Sequence, residues 1–194
     1  CSAPPPRSKT TASRRTFPSS MLGVAGTMYW RLELSFSKPP PIGSWGRLIA
    51  LIKDLSSFNT IIEHRDMIAN KLMKTHVIQE YIDIPNRDIR TLVVGDEVLA
   101  AMFRYRRDGD WRTNVARGGV PVMAYLNEEL KEISLKAAEA IGGEILSVDV
   151  FEMGDGTYLV NEINGCPEFK GFIQATGVDV ASKIINYLLK TARG

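Results

Sequence analysis

Two acidic side chains and one amide near the C-terminal end have the types and spacing of a site for a divalent cation. Asp149 and Glu162 lie in apolar segments on either side of Gly154-Asp155-Gly156, a sequence typical of a β-hairpin turn. A four-residue turn at residues 154–157 would pair Met153 with Tyr158, Phe151 with Val160, and Asp149 with Glu162. Asn164 would then project to the same face as Glu162. Such oxygen ligands suit Mg²⁺, which often completes its shell with nucleotide phosphates; the alternative is an exposed face that is merely acidic.

A glycine-containing loop near the start of the chain could approach phosphate groups. Lys38 precedes Gly43-Ser44-Trp45-Gly46, where backbone N–H groups and a lysine charge could bind phosphate oxygens. The loop joins two predicted strands and has no GK[ST] sequence, so it is not a Walker P-loop. An ordinary turn is the competing interpretation.

Arginines recur through the middle of the chain and could bind phosphate or carboxylate groups bidentately. The series comprises Arg90, Arg104, Arg106, Arg107, Arg112 and Arg117. Arg106 and Arg107 stand beside Asp108 and Asp110, which favours a solvated loop. Arg104, Arg112 and Arg117 stand closer to Asn114 and the pair Gly118-Gly119, which favours a site.

Composition bounds the class of protein that can carry these residues. With 194 residues, 44% hydrophobic and 24% charged, the chain can bury one core, divided at most into two lobes. A net charge of +2 gives no support for nucleic-acid binding. Two cysteines provide no disulfide framework and fit the cytoplasm. No apolar run reaches the ~20 residues of a membrane span, so we expect no membrane contact.

The hydrophobic pattern predicts alternating strands and helices after a loose lead-in at residues 1–30. Strands are predicted at 31–38, 48–52 and 77–82, and a hairpin at 88–94 and 97–105 around Gly95-Asp96. Asp88 and Arg90 share one face of that hairpin.

Capping residues mark three helices. One begins after Asp54 and carries the apolar stripe Leu55, Phe58, Ile61, Ile62, Ile68 and Leu72. A second runs from Asn127 to Gly142 with Leu130, Ile133, Ala137 and Ile141 along it. The last spans residues 179–189.

In order, the segments KPPPIGSWGR, VIQEYIDIPNRDIR, VVGDEVLAAMFR, WRTNVARGG, VDV, NEIN and PEFKGF resemble the ATP-grasp carboxylate–amine ligases over residues 36–190. The chain is most similar to the RimK-related ligases that load amino acids onto the carrier protein LysW. The resemblance implies an α+β ATP-grasp fold whose two lobes of antiparallel sheet clasp ATP. Residues 31–82 would form the small lobe and residues 83–194 the large lobe.

The resemblance also implies roles for individual residues. ATP would be bound by Lys38, Ile42, Gly43, Ser44, Trp45, Gly46, Arg47, Gln79, Glu80, Tyr81, Ile82, Asp88, Arg90 and Asn114. Mg²⁺ would be bound by Asp149, Glu162 and Asn164. The acyl and amino substrates would be bound by Arg104, Val115, Ala116, Arg117, Gly118, Gly119, Glu168, Phe169, Lys170, Gly171 and Phe172. The catalytic arginines would be Arg104, Arg112 and Arg117.

In the family mechanism, ATP phosphorylates the γ-carboxyl of the carrier's C-terminal glutamate, and the α-amino group of the incoming amino acid attacks the acyl phosphate. Gly171-Phe172 resembles relatives that use glutamate, whereas relatives that use α-aminoadipate have Asn followed by Thr or Ala. Phe172 would shorten the pocket by one methylene, a difference worth about 1–3 kcal/mol. We therefore expect a glutamate ligase of arginine or ornithine synthesis acting on an acidic LysW-like carrier, with aminoadipate as the alternative.

The chain departs from the family at its N-terminal end. It begins at Cys1, residues 1–30 do not resemble the family, and the preceding α/β domain is not present in the sequence. We therefore expect a fragment or processed product, and a non-catalytic fragment that binds nucleotide or carrier is a further alternative. The sequence leaves a homo-oligomer open.

Overall fold

The computed structural model describes residues 32–35, 49–68 and 77–193. Its strands are β1 (Leu32–Ser35), β2 (Ala50–Ile52), β3 (Val77–Glu80), β4 (Arg87–Val94), β5 (Glu97–Tyr105), β6 (Val120–Ala124), β7 (Ile145–Glu152) and β8 (Tyr158–Asn164). Its helices are α1 (Leu55–Asp66), α2 (Glu128–Ile141), α3 (Lys170–Thr176) and α4 (Val180–Thr191), with a short 3₁₀ helix at Val115–Arg117.

The strands form two antiparallel sheets. The smaller sheet has the order β2-β1-β3, and the larger has the order β6-β5-β4-β7-β8. Mixed helix and antiparallel sheet confirm the predicted α+β class. The predicted division into lobes at residues 82 and 83 stays a prediction.

The two faces of the large sheet have different coverings because side chains alternate along each strand. One face carries Ile89, Val93 and Val148, which pack with Leu130 and Ala137 of α2 in the main apolar core. The other face is divided along the strand direction. Its apolar half, formed by Leu92, Ala100 and Met102, is covered by Phe172 of α3 and Val180 of α4. Its other half is polar and contains the candidate site.

Several predicted helix and turn signals are confirmed. The Asp54 carboxylate accepts a 2.7 Å hydrogen bond from the backbone N–H of Ser57 and begins α1. The Asn127 side-chain oxygen accepts one of 2.8 Å from the N–H of Leu130 and begins α2, which ends at left-handed Gly142. Gly95 turns the predicted β4–β5 hairpin with a φ of 63°, and the Tyr187 ring of α4 packs where its Cβ would be, so both the turn and the packing require glycine.

The two helix stripes were predicted partly wrongly. Leu55 is 73% exposed and Ile141 is 55% exposed, although both were assigned to buried stripes. Helix α1 ends at Asp66, whereas the predicted apolar stripe extended to Leu72, which lies outside the described residues. Helix ends fray and their bounds shift by a residue or two, so an apolar stripe read from the sequence is least reliable in the first and last turns.

Strand β6 and helix α3 have no sequence signal of the usual kind. Strand β6 lies at the edge of the sheet and contains Pro121, which is tolerated there because no neighbouring strand needs its N–H. Helix α3 has Phe169 at its N-cap, without a side-chain capping bond, and contains Gly171. Their positions follow from packing against each other, since α3 contacts β6.

Candidate functional site

The polar half of the sheet face brings together charged residues from three adjacent strands. Arg90 on β4 is directly opposite Asp149 on β7, and Asp88 on β4 is opposite Arg104 on β5. Because Asp88 and Arg90 are two residues apart, their side chains lie on the same face, as predicted. The sheet therefore gathers two acids and two bases into one cluster, which we call the strand cluster.

Salt bridges join the strand cluster continuously. Arg90 binds Asp149 bidentately, with Nε–Oδ1 and Nη2–Oδ2 distances of 2.7 and 2.8 Å. Arg104 binds Asp88 through Nε at 2.7 Å, and its Nη2 reaches both Asp88 and Asp149, the latter at 2.9 Å. The order Arg90–Asp149–Arg104–Asp88 alternates in charge, so each buried ion has an opposite partner.

Burial and charge act in opposite directions on these groups. Burial alone would raise the pKa of Asp149, but the charges of Arg104 and Arg90 outweigh it and hold that pKa at about 2. Burial likewise opposes the charge on Arg104, yet Asp149 and Asp88 keep its pKa above the usual arginine range. Asp149 and Arg104 are therefore both charged at neutral pH.

Thr113 ties the following loop to the strand cluster. Its hydroxyl donates a 2.6 Å hydrogen bond to Oδ2 of Asp88. Thr113 and Asp88 are both buried. The described side-chain contacts of Asp88 are with Arg104 and Thr113. Thr113 was not among the predicted site residues, although it adjoins Asn114 in the WRTNVARGG segment.

The predicted metal ligands lie at the edge of the strand cluster. Asp149 on β7 pairs with Glu162 on β8, and Asn164 pairs with Ser147, as the hairpin prediction required. The other two predicted pairs are wrong: Glu152 pairs with Tyr158, and Phe151 pairs with Leu159. The turn closes between Met153 and Thr157, and a bulge at Asn161 restores the register before Glu162.

The donor set fits Mg²⁺ in chemistry. Asp149 is held as a carboxylate, and three arginine N–H groups use three of its roughly four acceptor positions. Glu162 and Asn164 add carboxylate and amide oxygens, the ligands that Mg²⁺ prefers. No group of three or more His, Cys, Asp or Glu residues suited to a metal occurs in the described parts of the chain, but this set has an amide as its third member. The metal assignment stays a prediction.

The loop after β5 holds the other two predicted arginines around one carboxylate. Asp110 Oδ1 accepts bonds from the backbone N–H and Nε of Arg112 at 3.0 and 2.9 Å, and Oδ2 accepts one of 3.1 Å from Nη2. Arg117 Nε donates to the same Oδ2 at 3.1 Å. Arg112 lowers the pKa of Asp110 well below its usual range, with Arg117 contributing. Asp110 therefore binds Arg112 and Arg117, whereas Arg107, for which a solvated loop was favoured, is exposed.

Close backbone packing fixes the shape of this loop. A Cβ on Gly119 would lie 2.5 Å from the carbonyl oxygen of Thr113 and 3.0 Å from that of Tyr105. Any side chain at Gly119 would therefore push the loop away from β5. Val115, Ala116 and Gly118, also predicted to bind substrates, lie in the same loop.

The segment expected to choose the amino acid lies partly in the core. Phe172 is 1% exposed and packs in the apolar cluster under α4, so the described structure does not show it lining a pocket. Phe169 packs against that cluster too, whereas Glu168 and Lys170 are exposed. Gly171 lies between Lys170 and Phe172 in α3. A Cβ added at Gly171 would meet only ordinary contacts, the nearest being Val115 Cγ1 at 3.5 Å.

The predicted nucleotide residues are described only in part. Lys38 and residues 42–47 lie outside the described residues. Gln79 Nε2 is 3.5 Å from Asn161 Oδ1, which links β3 to β8 of the large sheet. The Tyr81 ring meets Trp111 edge to face at 6.2 Å. Asn114 precedes the 3₁₀ helix, where its carbonyl accepts the N–H of Arg117 at 2.9 Å.

No described helix in residues 49–68 or 77–193 is long and apolar enough to cross a membrane.

Comparison with known proteins places this arrangement in a family. The chain matches the RimK-like ATP-grasp domain over residues 41–188. It is 48% identical over 149 residues to Glutamate–LysW ligase ArgX of Sulfolobus acidocaldarius, covering 77% of this chain and 53% of that protein. It is 37% identical over 146 residues to Alpha-aminoadipate–LysW ligase LysX of Saccharolobus solfataricus, covering 75% and 53%. The chain thus spans about half the length of the curated relatives it matches.

Solved structures agree in fold. ATP-grasp ligase PsnB complexed with minimal precursor superposes with a TM-score of 0.58 at 20% identity, covering 84% of this chain and 48% of PsnB. PsnB complexed with minimal precursor, Mg and ADP superposes with a TM-score of 0.57 at 19% identity, covering 84% of this chain and 47% of PsnB. At this identity the likeness concerns the fold alone. Because the family match covers most of the chain, this protein belongs to the RimK-like ATP-grasp family.

Proposed function

We propose that this chain is the ATP-grasp part of a ligase that joins the α-amino group of glutamate to the C-terminal glutamate γ-carboxyl of a LysW-like carrier. The observation that carries the proposal is the order of identities. The two ArgX relatives are 48% and 46% identical to the chain, whereas three LysX relatives are 34–37% identical over the same length. Alpha-aminoadipate is the alternative amino acid.

The reaction needs positive charge and positioning rather than a side-chain nucleophile. Phosphoryl transfer from ATP to the carrier carboxylate forms an acyl phosphate and releases ADP. Attack by the glutamate amine then forms the amide and releases phosphate. Arg112 and Arg117 are partly exposed beside Asn114, where their guanidinium groups can bind anionic oxygens.

We assign the strand cluster a supporting role, in which it orients the groups around the proposed site. Arg104 is buried between Asp88 and Asp149, so we assign it the role of orienting these carboxylates rather than direct contact with a substrate. Asp88 also holds Thr113, and through it the loop that carries Arg112. Arg90 is less buried than Arg104 and remains a candidate for direct nucleotide contact.

Glu162, Asn164 and the remaining acceptor position of Asp149 would hold Mg²⁺, which supplies charge neutralisation at phosphoryl oxygens when bound. Lys38, Ile42 to Arg47, and Gln79 to Ile82 would contact ATP, as in the family resemblance. The proposed partners are glutamate and an acidic carrier protein, and the proposed compartment is the cytoplasm.

The test is a ligation assay with the purified chain, ATP, Mg²⁺, a LysW-type carrier, and either glutamate or α-aminoadipate. We expect ADP release that requires all components, and a carrier whose mass increases by one glutamyl residue. Preferential loading of aminoadipate would reject the glutamate assignment while keeping the ligase. ATP binding by calorimetry without ADP release would instead favour a non-catalytic fragment.

A further inference from the structure

A polar cleft of about 560 Å³ lies over the loop that follows β5. It is lined by Arg107, Asp108, Gly109, Asp110, Ala116, Arg117 and Gly118. None of these lining residues belongs to the strand cluster.

Two arginines face this cleft with hydrogen-bonding capacity to spare. Arg117 uses its Nε on Asp110, and no hydrogen bond from its two Nη groups occurs among the described residues. Arg107 is exposed, and its guanidinium likewise has no hydrogen-bond or ion-pair partner in the part of the chain that the structure describes. Planar guanidinium groups bind carboxylate and phosphate oxygens, so two of them at one cleft are suited to an oxyanion.

Arg117 is held in place by Asp110, and Arg107 passes close to the backbone of Gly118. Asp110 also binds Arg112 through both carboxylate oxygens, which anchors it as the fixed point for Arg117. Arg107 lies against Gly118, where an added Cβ would be 3.1 Å from Arg107 Cδ, and Gly118 has a φ of 92°. Glycine at 118 therefore permits both the turn and the approach of Arg107.

We propose that this cleft binds the two oxygens of a carboxylate or phosphoryl group between Arg107 and Arg117, and that Asp110 is the positioning residue for Arg117. The proposal deepens the proposed function, and rests on it only for the source of the oxyanion. The carboxylate source is the amino-acid substrate, and the phosphoryl source is a nucleotide.

Calorimetric titration of the 194-residue chain with L-glutamate, and separately with inorganic phosphate, tests the site. We expect saturable binding of at least one probe, weakened about tenfold or more by Arg107→Ala and by Asp110→Asn. Tighter binding of glutamate identifies the carboxylate source, and tighter binding of phosphate identifies the phosphoryl source.

Asp108→Asn is the matched control because it removes the same charge from the same cleft without releasing an arginine. Loss of negative charge alone would strengthen anion binding in both Asn variants. Positioning instead requires Asp110→Asn to bind weakly while Asp108→Asn binds as tightly as the wild type or more tightly. Asp110→Glu, which keeps the charge, should recover part of the affinity.

Thermal melting followed by circular dichroism checks that each variant is folded. If Asp110→Asn does not fold, Arg117→Lys takes its place, since lysine keeps the charge but lacks the planar fork. Binding of neither probe, or unweakened binding in Arg107→Ala or in the folded positioning variant, overturns the proposal. Probe binding without ligation activity would reject the ligase function and leave the cleft assignment standing.

Discussion

The Arg104 guanidinium and the Asp149 carboxylate lie 2.9 Å apart inside the large sheet, where their side chains are only 3% and 4% exposed. The same arginine binds Asp88, whereas Asp149 is also bound by Arg90, so loss of Arg104 would leave Asp88 without its arginine partner. Removing one partner from such a pair leaves an uncompensated buried charge.

We therefore expect Arg104→Met to lower the free energy of unfolding by about 3–5 kcal/mol. Urea unfolding measures this change. Lys136→Ala is the control, because Lys136 pairs with Glu132 on the exposed side of α2, and its loss should leave the free energy of unfolding nearly unchanged. Equal stability of the two variants would show that the buried pairs contribute nothing.

Stability should depend on pH through Asp149. Its folded pKa of about 2 lies below its ordinary value of 3.8, so its stabilisation is present above 3.8 and is lost as the pH falls through about 2. Asp149→Asn should cost on the order of 2 kcal/mol near neutral pH, with a smaller difference from wild type at pH 2. Unfolding would be followed from pH 7 to pH 2 with EDTA present. A constant difference across that range would contradict the assignment.

Glu162→Ala should remove Mg²⁺-dependent ADP release while leaving the melting temperature nearly unchanged. Glu162 faces Asp149 across the hairpin, so its loss removes a proposed ligand and also a like charge. We expect turnover to fall about a hundredfold or more. Asp155→Asn in the exposed turn of the same hairpin is the control for removing an acid. Near-normal ADP release with Glu162→Ala would reject the metal assignment.

The amino-acid preference is better tested at Gly171 than at Phe172. A Cβ at Gly171 meets only ordinary contacts, so we expect Gly171→Asn to fold and to shift preference from glutamate toward α-aminoadipate in a competition assay. Phe172→Ala should instead cost about 3–5 kcal/mol because Phe172 is buried in the core under α4. An unchanged preference in Gly171→Asn, with the fold intact, would remove Gly171 from the specificity site.

Local signals predicted much of the fold. Asp54 and Asn127 begin their helices, and Gly95 and Gly142 end elements, because each acts through atoms a few residues away. The period of two along β4 and β7 placed the charged residues on one face. Strand β6 and helix α3 were not predicted, because packing, rather than a capping or turn residue, determines where they form.

The sequence by itself determined the family, the α+β class, and the pairing of Asp149 with Glu162. Only the tertiary structure decided which charges neutralise one another. Arg104 and Asp149 are 45 positions apart, and β5 and β7, which lie on either side of β4, bring them into contact in a medium where an unpaired charge is costly. The tertiary structure also decided that Phe172 belongs to the core and that Asp110 holds two arginines. Burial and salt-bridge geometry depend on how separate segments of the chain pack together.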